Sequence, residues 1–179
     1  MYSIIKRIRF HLFYARIGPD MPLTHWMLHF KSLMRLLAKK KLGAFGENAE
    51  IRPGAYLVET KTIFLGKGVI VRPNCMLFSE ETSSINVGNN SMLGSGVHIY
   101  CSNHSYDDVG VDISEQGYES AEVIISDNVW IGANTIIQKG VTIGTHTVVA
   151  AGSVVVSSLD PYSVYAGNPA RKLRSLKKT

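Results

Sequence analysis

"IIQKGVTIGTHTVVAAGSVV", residues 136–155, places Ile137, Ile143, Val149 and Val155 six residues apart. An amphipathic helix repeats its apolar residues near 3.6 and a half-buried strand at 2, so six fits neither. The register extends in both directions. Upstream stand Ile125 and Ile131, then Val87, Leu93 and Ile99, then Leu65, Val71 and Leu77, then Phe45, Ile51 and Leu57. All fifteen sites are large and apolar in a chain that is 45% hydrophobic, an outcome with chance odds on the order of one in 10⁵. Two residues before each site stands something small, β-branched or aliphatic, from Gly43 and Ala49 to Thr147 and Ser153. A glycine follows the site at Gly46, Gly66, Gly88, Gly94, Gly132 and Gly144.

The interruptions decide the architecture. Extra residues enter after Leu57 (two), Leu77 (four) and Ile99 (twenty), in each case after a third hexad. A coil of three hexads puts every insertion at one corner of a triangular prism. The chain therefore reads as an all-β fold, a parallel β-helix of about five triangular coils over residues 43–169, with an extended loop at 100–122. Each flat side is a short strand bonded to the coils above and below at about 4.8 Å. The aliphatics form inward layers, and the small residues are expected to let the corners turn. Ordinary sandwich strands would alternate by two between irregular turns.

An open β-helix exposes strand edges and a bare core at its ends, so caps are expected. Residues 1–42 read as a helical cap. "THWMLHFKSLMRLLAKKK" (24–41) fits one helix, with Thr24 as N-cap and Trp26, Phe30, Leu33 and Leu37 on its inner stripe. Lys39, Lys40 and Lys41 suit its C-terminal end, and Gly43 stops it. Residues 170–179, after Pro169, read as a short basic helix or tail over the other end.

The net charge of +5 is unevenly spread. Residues 1–41 hold nine Lys/Arg and one acid, residues 42–170 five and thirteen, and the last nine residues five and none. A nucleic-acid binder carries its basic surface on the folded body, so this acidic body argues against one. The start, "MYSIIKRIRFHLFYARIG", has His11 and Arg16 interrupting any apolar core of a signal peptide, and no run approaches a transmembrane span. Cys75 and Cys101 show no metal or disulfide spacing, which suits a reducing compartment, and the expected location is cytoplasmic. The basic N-terminal helix has two readings, a cap or trimer contact and a weak contact with an anionic membrane surface.

The block "VWIGANTIIQKGVTIGTHTVVAAGSVVVSSLDPYSVYAGNPARKL", 129–173, resembles the end of the hexapeptide-repeat acyltransferases, the left-handed parallel β-helix family. It is most similar to the sugar and polysaccharide O-acetyltransferases of the maltose and galactoside type, over roughly residues 43–174. The left hand of the coil is implied by that resemblance alone, since parallel crossovers are in general right-handed. The resemblance implies an acetyl-CoA-dependent enzyme without a metal, acting on a carbohydrate or sugar-nucleotide acceptor, with sites between the subunits of a homotrimer.

The loop "CSNHSYDDVGVDISEQGYESAE" opens where the family carries its catalytic histidine, and His104 stands there. An imidazole suits the base that takes a proton as a sugar oxygen attacks a thioester. Asn103, Asp107 and Asp108 are the neighbouring acceptor-side candidates, with either Asp107 or Asp108 able to orient the ring or simply to be solvated. Cys101 as a nucleophile forming an acyl-enzyme is the weaker alternative. For the donor, Ala133, Ala151 and Gly152 keep a wall smooth enough for a pantetheine arm, Trp130 lines its thioester end, and Arg171 and Arg174 match the family's cations for the phosphates. A family lysine falls at Ser157 here, and an acceptor-side asparagine falls at Arg72, a cation that suits an acidic or nucleotide-linked sugar. His98 and His146 face outward by register, and His25 and His29 read as packing or surface. The competing functions are N-acetylation of a nucleotide-linked amino sugar, a zinc-dependent carbonic anhydrase needing three converging histidines, and a scaffold without catalysis.

Overall fold

A computed structural model describes residues 14–177. The hexads wind into a left-handed parallel β-helix with three faces. Face 1 stacks Ala44–Phe45, Ile63–Leu65, Ile85–Val87, Val123–Ile125 and Thr142–Ile143. Face 2 stacks Glu50–Ile51, Ile70–Val71, Met92–Leu93, Trp130–Ile131 and Val148–Val149. Face 3 stacks Tyr56–Val58, Met76–Phe78, His98–Tyr100, Ile136–Ile137 and Val154–Val155. Register is kept from coil to coil: Leu93 pairs with Ile131 and Ile131 with Val149. Fourteen of the fifteen periodic residues are buried, and Phe45, on the first coil, is half-buried.

The small residues two places earlier fill the inside of the corners rather than making them turn. Ala49, Ala55, Val69, Val97 and Val129 are buried there. Where the residue is polar its hydroxyl is satisfied locally: Thr135 Oγ1 donates to the Gly132 carbonyl at 2.9 Å and Ser153 Oγ to that of Ala150 at 2.7 Å. The turning is done by a left-handed residue three places after eleven of the fifteen periodic sites, glycine at five of them. Asn48, Asn74, Asn90, Asn128, Asn134 and His146 have φ between 54° and 61°. Asparagine tolerates this region better than other side chains.

The winding continues further than the six-residue period suggests. Leu159 bridges to Ile143 and Tyr165 pairs with Val149, so Leu159 and Tyr165, again six apart, begin a partial sixth coil. The period is hidden because the fifth coil is two residues short, 143 to 159 instead of 161.

Both caps differ from expectation. The N-terminal helix is two helices, α1 (Pro22–Met27) and α2 (Lys31–Lys41). Pro22 starts α1 two residues before Thr24, where its fixed φ and missing N–H cost nothing. Met21 is the N-cap, and Thr24, inside the helix, donates Oγ1 to the Met21 carbonyl at 3.0 Å. The break lets Leu28, Met34, Leu37 and Ala38 seal the core, while Trp26 and Phe30 point outward. Lys41 is buried; its Nζ donates to the carbonyls of Tyr14 and Arg16, and burial lowers its pKa. Residues Arg16–Ile17 form a strand antiparallel to Tyr56–Val58 and cover the lower edge of face 3. At the other end the expected basic helix is a strand, Arg171–Ser175, antiparallel to Ser163–Ala166 on face 2. A helix that short is marginal in water, whereas the Ser163–Ala166 edge offers unpaired backbone groups.

Candidate functional site

The twenty-residue insertion leaves the corner between faces 3 and 1 as a two-stranded ribbon. Ser102–His104 pairs antiparallel with Tyr118–Ser120, matching His104 with Tyr118. Their rings lie 4.3 Å apart, and both residues are exposed. Alternation puts Asn103 on the opposite side, where its Nδ2 donates to Gln138 Oε1 at 3.3 Å. Lys139 Nζ donates to Glu119 Oε2 at 2.8 Å on that side and holds the carboxyl below its usual range. The ribbon is thus moored to the fourth coil by one flank, leaving His104 on the other.

Asp107 and Asp108 do not bond to the imidazole. Asp108 belongs to the loop's own turn: its Oδ1 accepts from the Gly110 N–H at 2.9 Å, and Gln116 Nε2 donates to its carbonyl at 2.9 Å. Asp107 is exposed. Cys101 is fully buried with Sγ directed at the Ser84 carbonyl, and burial pushes its thiol pKa up. A thiol without thiolate character is a poor nucleophile.

At the ribbon's root, on the His104 flank, a depression of about 570 Å³ is lined by Glu59, Glu80, Glu81, Ser102, Tyr118 and Ser120. Burial raises the pKa of Glu59, with Glu81 and Glu80 adding to the shift. These carboxylates come from the two shorter insertions at the same corner, which is the signal that could have singled them out.

A second groove, about 640 Å³, runs along the border of faces 2 and 3. Arg72, Trp130, Ala133 and Ala151 line it together with Gly94, Ser95 and Gly132. The repeat itself makes the wall smooth. A Cβ on Gly94 would lie 2.6 Å from the Ala133 nitrogen, and one on Gly132 would lie 2.4 Å from that of Ala151, so these corners pack backbone to backbone. Trp130 stands half-exposed on face 2 between Met92 and Val148. Gly152, at φ +71°, turns the corner beside Ala151.

Arg171 and Arg174 are exposed on the terminal strand, which extends face 2 two strands beyond Val148–Val149. The groove and the two arginines therefore share one face, with Arg72 at the opposite end. Within Arg72's own column Arg52 is neutralised by Glu50 at 2.6 Å, whereas among the described residues Arg72 has no ion-pair partner. Ser157 lies apart, at the corner leaving face 3. The same face separates His104 from the groove within one chain.

His98 Nδ1 lies 3.0 Å from Tyr100 Oη on face 3, and His146 stacks on Tyr162 at 5.3 Å. His25 and His29 meet edge-on in and beside α1, and His11 lies outside the described residues. Among the described residues no group of three or more His, Cys, Asp or Glu is placed to hold a metal ion.

Residues 122–157 match the bacterial transferase hexapeptide family (six repeats). The chain is built on hexapeptide repeats. Among solved structures it is similar to a maltose O-acetyltransferase from Clostridium difficile 630, with 28% identity, a TM-score of 0.77, and coverage of 83% of this chain and 78% of that one. It is also similar to a hexapeptide-repeat acetyltransferase of Vibrio cholerae O1 biovar eltor complexed with acetyl coenzyme A, at 26% identity, TM-score 0.74, and coverage of 89% and 91%. A galactoside acetyltransferase in complex with coenzyme A aligns at 27% identity, TM-score 0.75, over 86% of this chain and 77% of that one. No curated protein matches the sequence itself.

Proposed function

We propose that the protein is an acetyl-CoA-dependent O-acetyltransferase acting on a carbohydrate hydroxyl, with His104 as general base. The observation that carries this reading is the shared face. A smooth groove bearing Trp130, Ala133 and Ala151 continues toward two exposed arginines, as an acyl carrier with an apolar arm and a phosphorylated end requires. Acyl transfer is further supported by the hexapeptide match and by similar acetyltransferases, two of them holding acetyl coenzyme A or coenzyme A.

The donor lies with its phosphates toward Arg171 and Arg174 and its thioester toward Trp130. A sugar oxygen attacks the thioester carbonyl and a C–O bond forms. His104 takes the hydroxyl proton and returns it to the departing sulfur as the C–S bond breaks. The acceptor hydroxyls bond to carboxylates of the Glu59–Glu80–Glu81 depression on the His104 flank. Because one face of the prism separates His104 from the groove, the ribbon of one chain serves the groove of a neighbour, as in a homotrimer with sites between its subunits. Asn103 and Lys139 are positioning residues for the ribbon.

Unpaired Arg72 favours a second reading, N-acetylation of a nucleotide-linked amino sugar, whose phosphates it would meet while the carboxylates accept from the ring hydroxyls. An amine with a depressed pKa, already neutral, needs less help from a base, so the two readings part at one variant. Under O-acetylation, His104→Ala lowers thiol release on the order of 10²–10⁴-fold. Activity retained in that variant overturns His104 as base and moves the assignment to the amine. Coenzyme A at about 100 times its Kd should add about 2.7 kcal/mol to stability, and no stabilisation would remove the donor site.

A further inference from the structure

We propose that the helical cap is a docking surface for an anionic lipid bilayer, holding the base of the prism on a membrane. From Met21 to Gly46 the sequence contains no acidic residue and five Lys/Arg. The cap also turns large apolar side chains outward. Leu23, Trp26 and Phe30, 48%, 55% and 47% exposed, follow at three- and four-residue spacing along α1 and its connection to α2, and the Trp26 and Phe30 rings touch at 4.9 Å. Leu36, 63% exposed, stands on α2 one turn before Lys39 and Lys40.

Packing does not account for these residues. The seal over the first coil is made by Leu28, Met34, Leu37 and Ala38, and the exposed set lies outside it. Of the cations at the end of α2, only Lys41 is used internally. Lys39 and Lys40 have no acidic partner among the described residues, and Lys61 joins them by donating to the Lys40 carbonyl at 3.0 Å. Three lysines thus gather at one end of α2 with no acidic partner among the described residues. Outward aromatic and aliphatic side chains and unneutralised lysines carried on one helical cap are what it needs to settle at the headgroup boundary of a negatively charged bilayer.

Charge and apolar exposure together fix the orientation. Residues 42–170 carry thirteen acids against five Lys/Arg and are repelled by the surface that attracts the cap. The last nine residues are basic as well, but the contacting Trp26 and Phe30 rings stand on the cap, so that end inserts and the acidic body is held off the bilayer. The inference is independent of the acyl-transfer reading, since vesicle binding is measured without any substrate.

The test is co-sedimentation of the full chain with vesicles of phosphatidylcholine alone and of phosphatidylcholine with phosphatidylglycerol. Binding is expected to the mixed vesicles only and should be lost at about 1 M salt, where screening acts within about 3 Å. Lys39→Gln with Lys40→Gln should weaken it roughly 30-fold, about fivefold for each lysine. Trp26→Ser with Phe30→Ser should also weaken it while leaving the unfolding transition in place. Equal binding to neutral vesicles, or none to either, overturns the proposal. So does loss of a larger assembly in the Trp26→Ser, Phe30→Ser variant, by light scattering, with vesicle binding unchanged; the patch would then be a contact between copies of the chain.

Discussion

Replacing Gly132 by alanine separates two reasons for which this fold uses glycine. The backbone at Gly132 is not left-handed, so alanine is conformationally allowed there. Space is what is missing: the new Cβ would lie 2.4 Å from the Ala151 nitrogen and 2.8 Å from both the Ala150 carbonyl carbon and the Ala151 Cα. All three are backbone atoms of the next coil, so no side chain can swing aside. Reaching ordinary contact requires the fourth and fifth coils to part by roughly 1 Å at this corner. That strains the 2.7 Å bond from the Gly132 N–H to the Val149 carbonyl. Overpacking costs about 1–3 kcal/mol and a weakened backbone bond about 1 more, giving about 2–4 kcal/mol. At roughly 2–4 °C per kcal/mol for a chain of this size, Tm falls by roughly 5–15 °C. Gly152→Ala is the control. Its Cβ meets nothing within 4 Å, but φ is +71°, so only the left-handed penalty of about 1–2 kcal/mol applies. Paired thermal unfolding of the two variants is the assay. If Gly152→Ala proves the more damaging, or Gly132→Ala is silent, the backbone-to-backbone account of the corner is wrong. Because Gly132, Ala133 and Ala151 line one groove, Gly132→Ala should also weaken coenzyme A more than its neighbour does.

Other predictions concern charge. Burial pushes the Cys75 thiol from 9.0 to about 11, so the unfolded chain ionises there first. Its contribution, about 3 kcal/mol, is complete below pH 9 and is lost as pH rises through about 11. Denaturant midpoints measured across that window should fall less steeply for Cys75→Ala than for the parent, and parallel curves would refute the assignment. Arg171→Ala and Arg174→Ala should each weaken coenzyme A roughly tenfold by calorimetry, about 1.4 kcal/mol, while the fold is retained. Unchanged affinity in both would place the phosphates elsewhere.

The prism was legible because its rule is strict. A layer such as Leu93–Ile131–Val149 admits only large aliphatics, and the insertions after Leu57, Leu77 and Ile99 announce their shared corner by position alone. That Ala133 and Ala151 line a groove followed from their small side chains, and Trp130 entered through the family resemblance. Legibility ended where tertiary context overrides local preference. Arg171–Ser175 has no strand pattern and takes its conformation from the free edge of Ser163–Ala166. Trp26 and Phe30 sit at helical spacing with Leu33 and Leu37, yet the break after α1 turns them outward, a bend visible only against the coil beneath. The corner-turning asparagines were overlooked for a different reason: a left-handed φ leaves no hydropathy signal, although their constant offset from the aliphatic layer was available to be read.

That three insertions of very different length share one corner makes that corner a natural graft point. Between Cys101 and Val123 the chain leaves the prism and rejoins it in register, Val123 pairing with Ile85 beneath it. A segment from a related enzyme could be exchanged there without disturbing a single layer. Under the proposed function, the acceptor contacts made by the ribbon would travel with the transplanted arm while those of the two shorter insertions stayed with the scaffold, a modularity that a fold with interlocked elements does not offer.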